Sequence, residues 1–153
     1  MAHADYTFYH DAFHGDVLTT ENADKWLDRA SDTVDHLTFD RLNSAFPVVE
    51  AHAVKVKKAV CAIAEALCCI DEQRRAASVQ RADDGSYRGA VASISSGKES
   101  ISFVTVGAAV GASSYAAAAA NADVQAALIR DIAVTYLANV PDAEGTNLLY
   151  AGV

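Results

Sequence analysis

VEAHAVKVKKAVCAIAEALCCIDEQRRA, running from Val49 to Ala76, is the longest stretch of this chain with a helical period. Val49, Ala53, Val56, Val60, Ile63, Ala64, Leu67 and Ile70 recur at three- and four-residue steps. That spacing gathers apolar side chains on one face of an α-helix. Lys55, Lys57, Lys58, Glu65, Asp71, Glu72, Arg74 and Arg75 decorate the other faces. The late arginines suit the negative C-terminal end of the helix dipole. At 1.5 Å rise per residue the span is roughly 40 Å long.

Two further helices flank this one. Ala23, Trp26, Leu27, Ala30, Val34 and Leu37 form a second apolar stripe. Thr19 or Thr20 is the expected cap, with Glu21 and Asp24 in the first turn where the dipole favours acids. A break follows from Thr38 to Pro47, because the residue before a proline is pushed out of helical geometry. A third helix begins near Asn121, with Val124, Ala127, Leu128, Ile132, Thr135 and Tyr136 as its stripe, and ends near Asn139 ahead of Pro141.

Between these helices the expectations are less regular. Residues 1–18, with aromatic Tyr6, Phe8, Tyr9 and Phe13, read as an extended arm or one irregular turn. Residues 77–97 are small and polar and read as a long flexible loop. Residues 99–106 are rich in β-branched and aromatic side chains and read as a strand. That strand pairs with Tyr87 to Ile94 as a hairpin, or else with another subunit. Residues 107–120 are rich in glycine, serine and alanine, and residues 141–153 form a C-terminal tail. The expected fold is mainly α: one domain over residues 1–153. It is a small bundle of three main helices with a long loop, one short strand or hairpin, and an extended tail.

Composition narrows the function. Hydrophobic residues make up 52% of the 153, enough for a core. The net charge is −8, and residues 1–50 hold ten acids against three bases. Such a surface argues against a direct grip on nucleic acid, which needs Lys and Arg to neutralise phosphates. The first five residues carry no basic or apolar leader pattern, and the alanine run at 116–120 sits among polar residues. Neither a secretory leader nor a membrane span is expected. Cys61, Cys68 and Cys69 lie within one helix, which suggests reduced thiols of a cytosolic protein.

Chemical motifs are sparse. Gly107 and Gly111 lack the following Gly-Lys-Ser/Thr of a phosphate loop. Cys68 and Cys69 are adjacent rather than spaced for zinc, and read as small core side chains. His3, His10 and His14 read as surface histidines of the arm. No serine stands in a nucleophile elbow, and no carboxylate pair is singled out among twenty acids. No catalytic residue, metal site or cofactor is expected. The cluster at Lys55, Lys57 and Lys58 reads as a solvated or ion-pairing helix face.

The chain end is unusual. Leu148, Leu149, Tyr150 and Val153 follow the breakers Pro141 and Gly145, whereas chain ends are usually polar and loosely held. Burial of those four side chains is worth on the order of 6–10 kcal/mol gross, at about 1.5–3 kcal/mol each. The tail therefore needs a groove, on its own domain or on another chain. Extended, residues 142–153 would span roughly 40 Å.

Four stretches, in order, resemble the head–tail connector (adaptor, or head-completion) proteins of tailed bacteriophages. They are Tyr6-Thr7-Phe8-Tyr9 with Phe13 and Gly15; Arg29-Ala30-Ser31 with Val34 to Phe39 and Arg41; Val56 to Glu65; and Glu99 to Phe103 with Leu148-Leu149-Tyr150, Gly152 and Val153. The chain departs from the family pattern at Ala151, where a basic residue is common, and in a last helix poorer in arginine.

The resemblance implies a virion protein of the head–tail junction, made in the bacterial host cytoplasm. It implies a homo-oligomeric ring of about twelve subunits on the portal protein. The ring would extend the DNA channel, without specific DNA binding, and offer a surface to a downstream stopper or tail-completion protein. Leu148, Leu149, Tyr150, Gly152 and Val153 become portal-binding candidates. Ile101, Phe103 and Val106 become inter-subunit candidates. Trp26, Val34, Leu37, Val60, Ile63 and Leu67 are expected in the core. Two alternatives stay open: a monomeric interaction or regulatory module with the tail docked on its own helices, and a small-molecule enzyme on a helical bundle.

Overall fold

The computed structural model describes residues 2–77 and 113–150, together with the backbone of short strands between them. It is mainly helical, as the periodicities predict. Helix α1 (Tyr6–Phe8) runs into a π-helical turn (Tyr9–Phe13). Then come α2 (Ala23–Leu37), α3 (Arg41–Ser44), α4 (Glu50–Ala77), α5 (Ser114–Ala120) and α6 (Ala122–Leu137). The three long helices begin and end within a few residues of their expected limits.

The chain divides into two compact units, residues 1–68 with 126–153, and residues 69–125. The core of the first unit follows the α2 and α4 stripes except at exposed Val49, but α6 buries a different face: of its expected stripe, Val124, Ala127 and Thr135 are exposed and Leu128, Ile132 and Tyr136 only partly buried. Trp26, Leu27, Ala30 and Val34 of α2 are buried together with Val56, Ala59, Val60, Ile63 and Ala64 of α4 and Ile129, Ala133 and Leu137 of α6. Leu37 and Leu67 pack partly buried against that cluster. Ala30, Ala59 and Ala64 are fully buried in that cluster and Ala133 nearly so, and at the dense packing of protein interiors each methylene counts.

Of the two readings of the N-terminal segment, the structure takes the irregular turn, a short α turn running into a π-helical one, and not the extended arm. The Asp5 carboxylate accepts a hydrogen bond from the Phe8 N–H at 2.8 Å and caps the first turn. Tyr9 is fully buried, and its hydroxyl accepts from the N–H groups of Val17 and Leu18, both at 2.9 Å. The same hydroxyl donates to Glu65 of α4 at 2.7 Å. Gly15 closes over the tyrosine ring, and a β-carbon there would collide with it. One aromatic side chain thus organises residues 9–18 and ties them to α4.

The histidines of this segment do not behave alike. His10 pairs with Asp11 on the surface, and His14 is exposed. His3 is not a surface residue. Its ring contacts Asp35 at 2.7 Å and stacks on Phe46 at 5.6 Å, and its N–H donates to Ser31. The carboxylate and hydroxyl of α2 supply partners that a short polar segment lacks by itself.

In the second unit, Gln80–Arg81 pairs antiparallel with Tyr87–Arg88, and Ser93–Ser96 with Glu99–Ser102. The strand expected at residues 99–106 therefore pairs within its own chain over its first four residues. It pairs later in the expected partner region than Tyr87 to Ile94 implies. Of the expected 77–97 loop, Ala77 belongs to α4 and part is strand backbone, and its other residues, like 103–112, lie outside the described residues. Helix α5 lies in the stretch 107–120 to which no element is assigned from sequence; its alanines favour a helix, and it is capped by the Ser113 hydroxyl accepting from Tyr115 N–H. Arg74 of α4 donates to the Ala119 carbonyl and to Gln125. Asn121 caps α6 as expected, its side-chain oxygen accepting from Asp123 N–H at 2.8 Å.

Candidate partner interface

The C-terminal segment is built by one aspartate. Asp142 is buried, and its carboxylate accepts from the N–H groups of Glu144 at 2.9 Å and Thr146 at 2.8 Å. Its own N–H donates to the Thr146 carbonyl, and Gly145 takes the left-handed backbone the turn requires (φ 86°). Pro141 and Asn147 face each other across an antiparallel bridge. The segment is thus a tight reversal, not an extended tail, over residues 141–147.

The reversal returns Leu148 to the bundle. Its N–H donates to the Val140 carbonyl at 2.9 Å, and its side chain is fully buried. Arg41 donates to the Asn147 carbonyl at 2.8 Å, and Ala143 N–H donates to the Ala45 carbonyl. Of the two grooves open to the tail, Leu148 occupies the one on its own chain. Leu149 is partly buried against the core, whereas Tyr150 is 54% exposed. Gly152 and Val153 lie outside the described residues. So do Phe103 and Val106, and of Ile101 only the backbone is described, opposite Ile94.

A cleft of about 720 Å³ opens beside Leu149. Its apolar lining is Leu37, Phe39, Ala133, Val134 and Leu149, and its polar rim is His36, Asp40 and Arg130. The end of α2 shapes one wall. Thr38 closes the helix with its hydroxyl donating to the Val34 carbonyl. Phe39 N–H then bonds the His36 carbonyl and Asp40 N–H the Asp35 carbonyl, the pattern of a Schellman motif. Phe39 (φ 57°) sits where that motif normally places glycine, and Asp40 (φ 58°) repeats the left-handed conformation. A bulky aromatic in this region is a genuine outlier. The consequence is a phenyl ring 54% exposed on the cleft wall.

Ionisable groups elsewhere serve the core. Burial raises the Tyr9 phenol to about 12, with Glu65 adding to the shift against the opposing hydrogen bond from Leu18 N–H. Burial likewise raises the Cys61 thiol to about 12, reinforced by Glu65. Cys61 and Cys68 are buried and stand outside any disulfide. Among the described residues no group of three or more His, Cys, Asp or Glu side chains is placed to hold a metal ion. Nor is any helix among them long and apolar enough to cross a membrane.

The tail is legible in the sequence and the cleft beside it is not: Phe39 enters only through the family likeness and Asp40 only as one of the ten acids of residues 1–50, while Arg130 and Val134 carry no expectation. The available signal was the Thr38-Phe39-Asp40 helix stop, which lacks the glycine such a stop favours. Compared with protein-family models, curated proteins and solved structures, the chain gives no match.

Proposed function

We propose that this chain is a head–tail connector of a tailed bacteriophage, a structural virion protein that rings the portal and extends the DNA channel. The observation that carries the reading is the ordered likeness of four stretches spanning most of the chain. A mainly helical bundle with apolar side chains on its surface is compatible with it. Phe39, Val48, Val49 and Tyr150 are all more than half exposed, the kind of surface that marks a protein–protein contact when clustered.

On this reading the portal contact begins after Leu149. Leu148 belongs to the core and Leu149 packs partly buried against it, so the anchoring role passes to Tyr150, with Gly152 and Val153 following from the resemblance. The next connector or tail component would meet another surface of the ring, and DNA would pass along its acidic walls without specific contacts. No catalytic role or cofactor is proposed.

The test is electron microscopy of the chain mixed with the portal protein of the same phage. Rings on the portal are the expected result, and loss of binding in Tyr150→Asp with an unchanged melting temperature would assign the anchor. No binding by the folded wild-type chain would sink the connector reading. The second reading, a monomeric interaction module, draws on the burial of Leu148 in its own chain. A chain that stays monomeric with and without portal would favour it.

A further inference from the structure

Val48 and Val49 are the most conspicuous apolar side chains outside the cleft, 83% and 57% exposed. They project where Pro47 ends the loop and Glu50 opens α4. Neither lines the cleft of Phe39, Val134 and Leu149. The first unit therefore carries two separate apolar features, one projecting and one receiving. Charge offers one opposite-sign pair: Glu50 follows the valine pair, and Arg130 stands on a cleft rim that it shares with Asp40 and His36. Neither the Glu50 nor the Arg130 side chain has a hydrogen bond or ion pair among the described residues.

We infer that Val48 and Val49 of one copy seat in the Phe39–Val134–Leu149 cleft of a second copy, with Glu50 paired to Arg130 across the contact. The cleft's volume of about 720 Å³ exceeds what two valine side chains occupy. Because the two halves sit on different patches, the contact is head-to-tail, the class that closes into rings when the rotation allows. Each contact is small, so a ring is held by repetition rather than by one strong interface. The exposed left-handed Phe39 gains a purpose, since its ring forms one wall of the receiving cleft. This contact rests on the ring in the proposed function and supplies the residues that build it.

Sedimentation velocity of the full chain, across a concentration series, tests the contact without portal. The wild type should associate. Glu50→Arg and Arg130→Glu should each weaken association by about tenfold, because each sets like charges face to face. The double variant should restore it, and Val48→Asp should abolish it. All of these positions are exposed, and circular dichroism checks each fold. A wild type that stays monomeric, singles without effect, or a double variant that fails to recover overturns the contact. Loss of association in Phe39→Ala with none in Val48→Asp also overturns it, pointing to two clefts meeting face to face. Portal binding is read separately. A chain that binds portal but never self-associates loses this contact and keeps the connector reading; the reverse result loses only the portal.

Discussion

The Tyr9 hydroxyl donates to the Glu65 carboxylate at 2.7 Å, joining the first helical turn to the middle of α4. The same oxygen accepts from two backbone N–H groups, of Val17 and Leu18. One buried phenol thus satisfies three polar groups, each costly to leave unpaired away from water. Substitution by Phe keeps the ring and removes every bond. Tyr9→Phe should lower unfolding free energy by about 2–4 kcal/mol in urea titrations. A loss below about 0.5 kcal/mol would mean that the segment is held by ring packing alone.

The same phenol and the Cys61 thiol set the alkaline limit. Both groups have folded pKa values of about 12, against ordinary values of 10.0 and 9.0. Between those limits the native state holds protons that the unfolded chain has lost, so stability falls as pH rises. The stabilisation is intact below about pH 9 and declines from there toward about pH 12. Urea midpoints along this range should fall less steeply in Cys61→Ala from about pH 9, and in Tyr9→Phe from about pH 10. Parallel curves for all three proteins would contradict the assignment.

Leu148 is a core residue of its own chain. Leu148→Ala should destabilise the isolated protein by about 2–5 kcal/mol, as for other fully buried leucines. Truncation after Gly145 should do at least as much harm. Removal from Tyr150 onward should leave the melting temperature nearly unchanged. Differential scanning calorimetry separates these cases.

Asp142 holds the reversal that returns Leu148 to the bundle. Asp142→Ala strips the acceptor from Glu144 and Thr146 N–H groups. A loss of about 2–3 kcal/mol is expected, with faster amide exchange at residues 144 and 146. Unchanged exchange there would show the turn to be set by Pro141 and Gly145 without the carboxylate.

Phe39 occupies a glycine position of a helix stop. Phe39→Ala and Phe39→Gly both remove the ring, and only the second relieves the left-handed backbone. Phe39→Gly should therefore be more stable than Phe39→Ala by about 1 kcal/mol. Equal stability would show that the backbone at residue 39 carries no strain.

The three long helices were legible because their information is local. Val34 needs only Ala30 and Leu37 at helical steps to declare its face, and Asn121 caps α6 through atoms two and three residues away. The cleft was not legible. Its walls come from residues 36–40, 130–134 and 149, and nothing in the spacing of Phe39 announces that Arg130 will stand near it.

By itself, then, the sequence determined a mainly helical chain, the limits of α2, α4 and α6, and most of the side chains that α2 and α4 bury, whereas the face that α6 buries, Ile129, Ala133 and Leu137, lies beside the expected stripe. Periodicity and capping act over three or four residues, so no partner is needed to read them. Only the tertiary structure decided where the odd pieces went: His3 onto Asp35, Tyr9 onto Glu65, and the Arg41 side chain onto the Asn147 carbonyl, at sequence separations of 32, 56 and 106. Pairings at that range depend on how the bundle closes, and closure is what turned an apolar tail in need of a groove into a Leu148 buried in its own core.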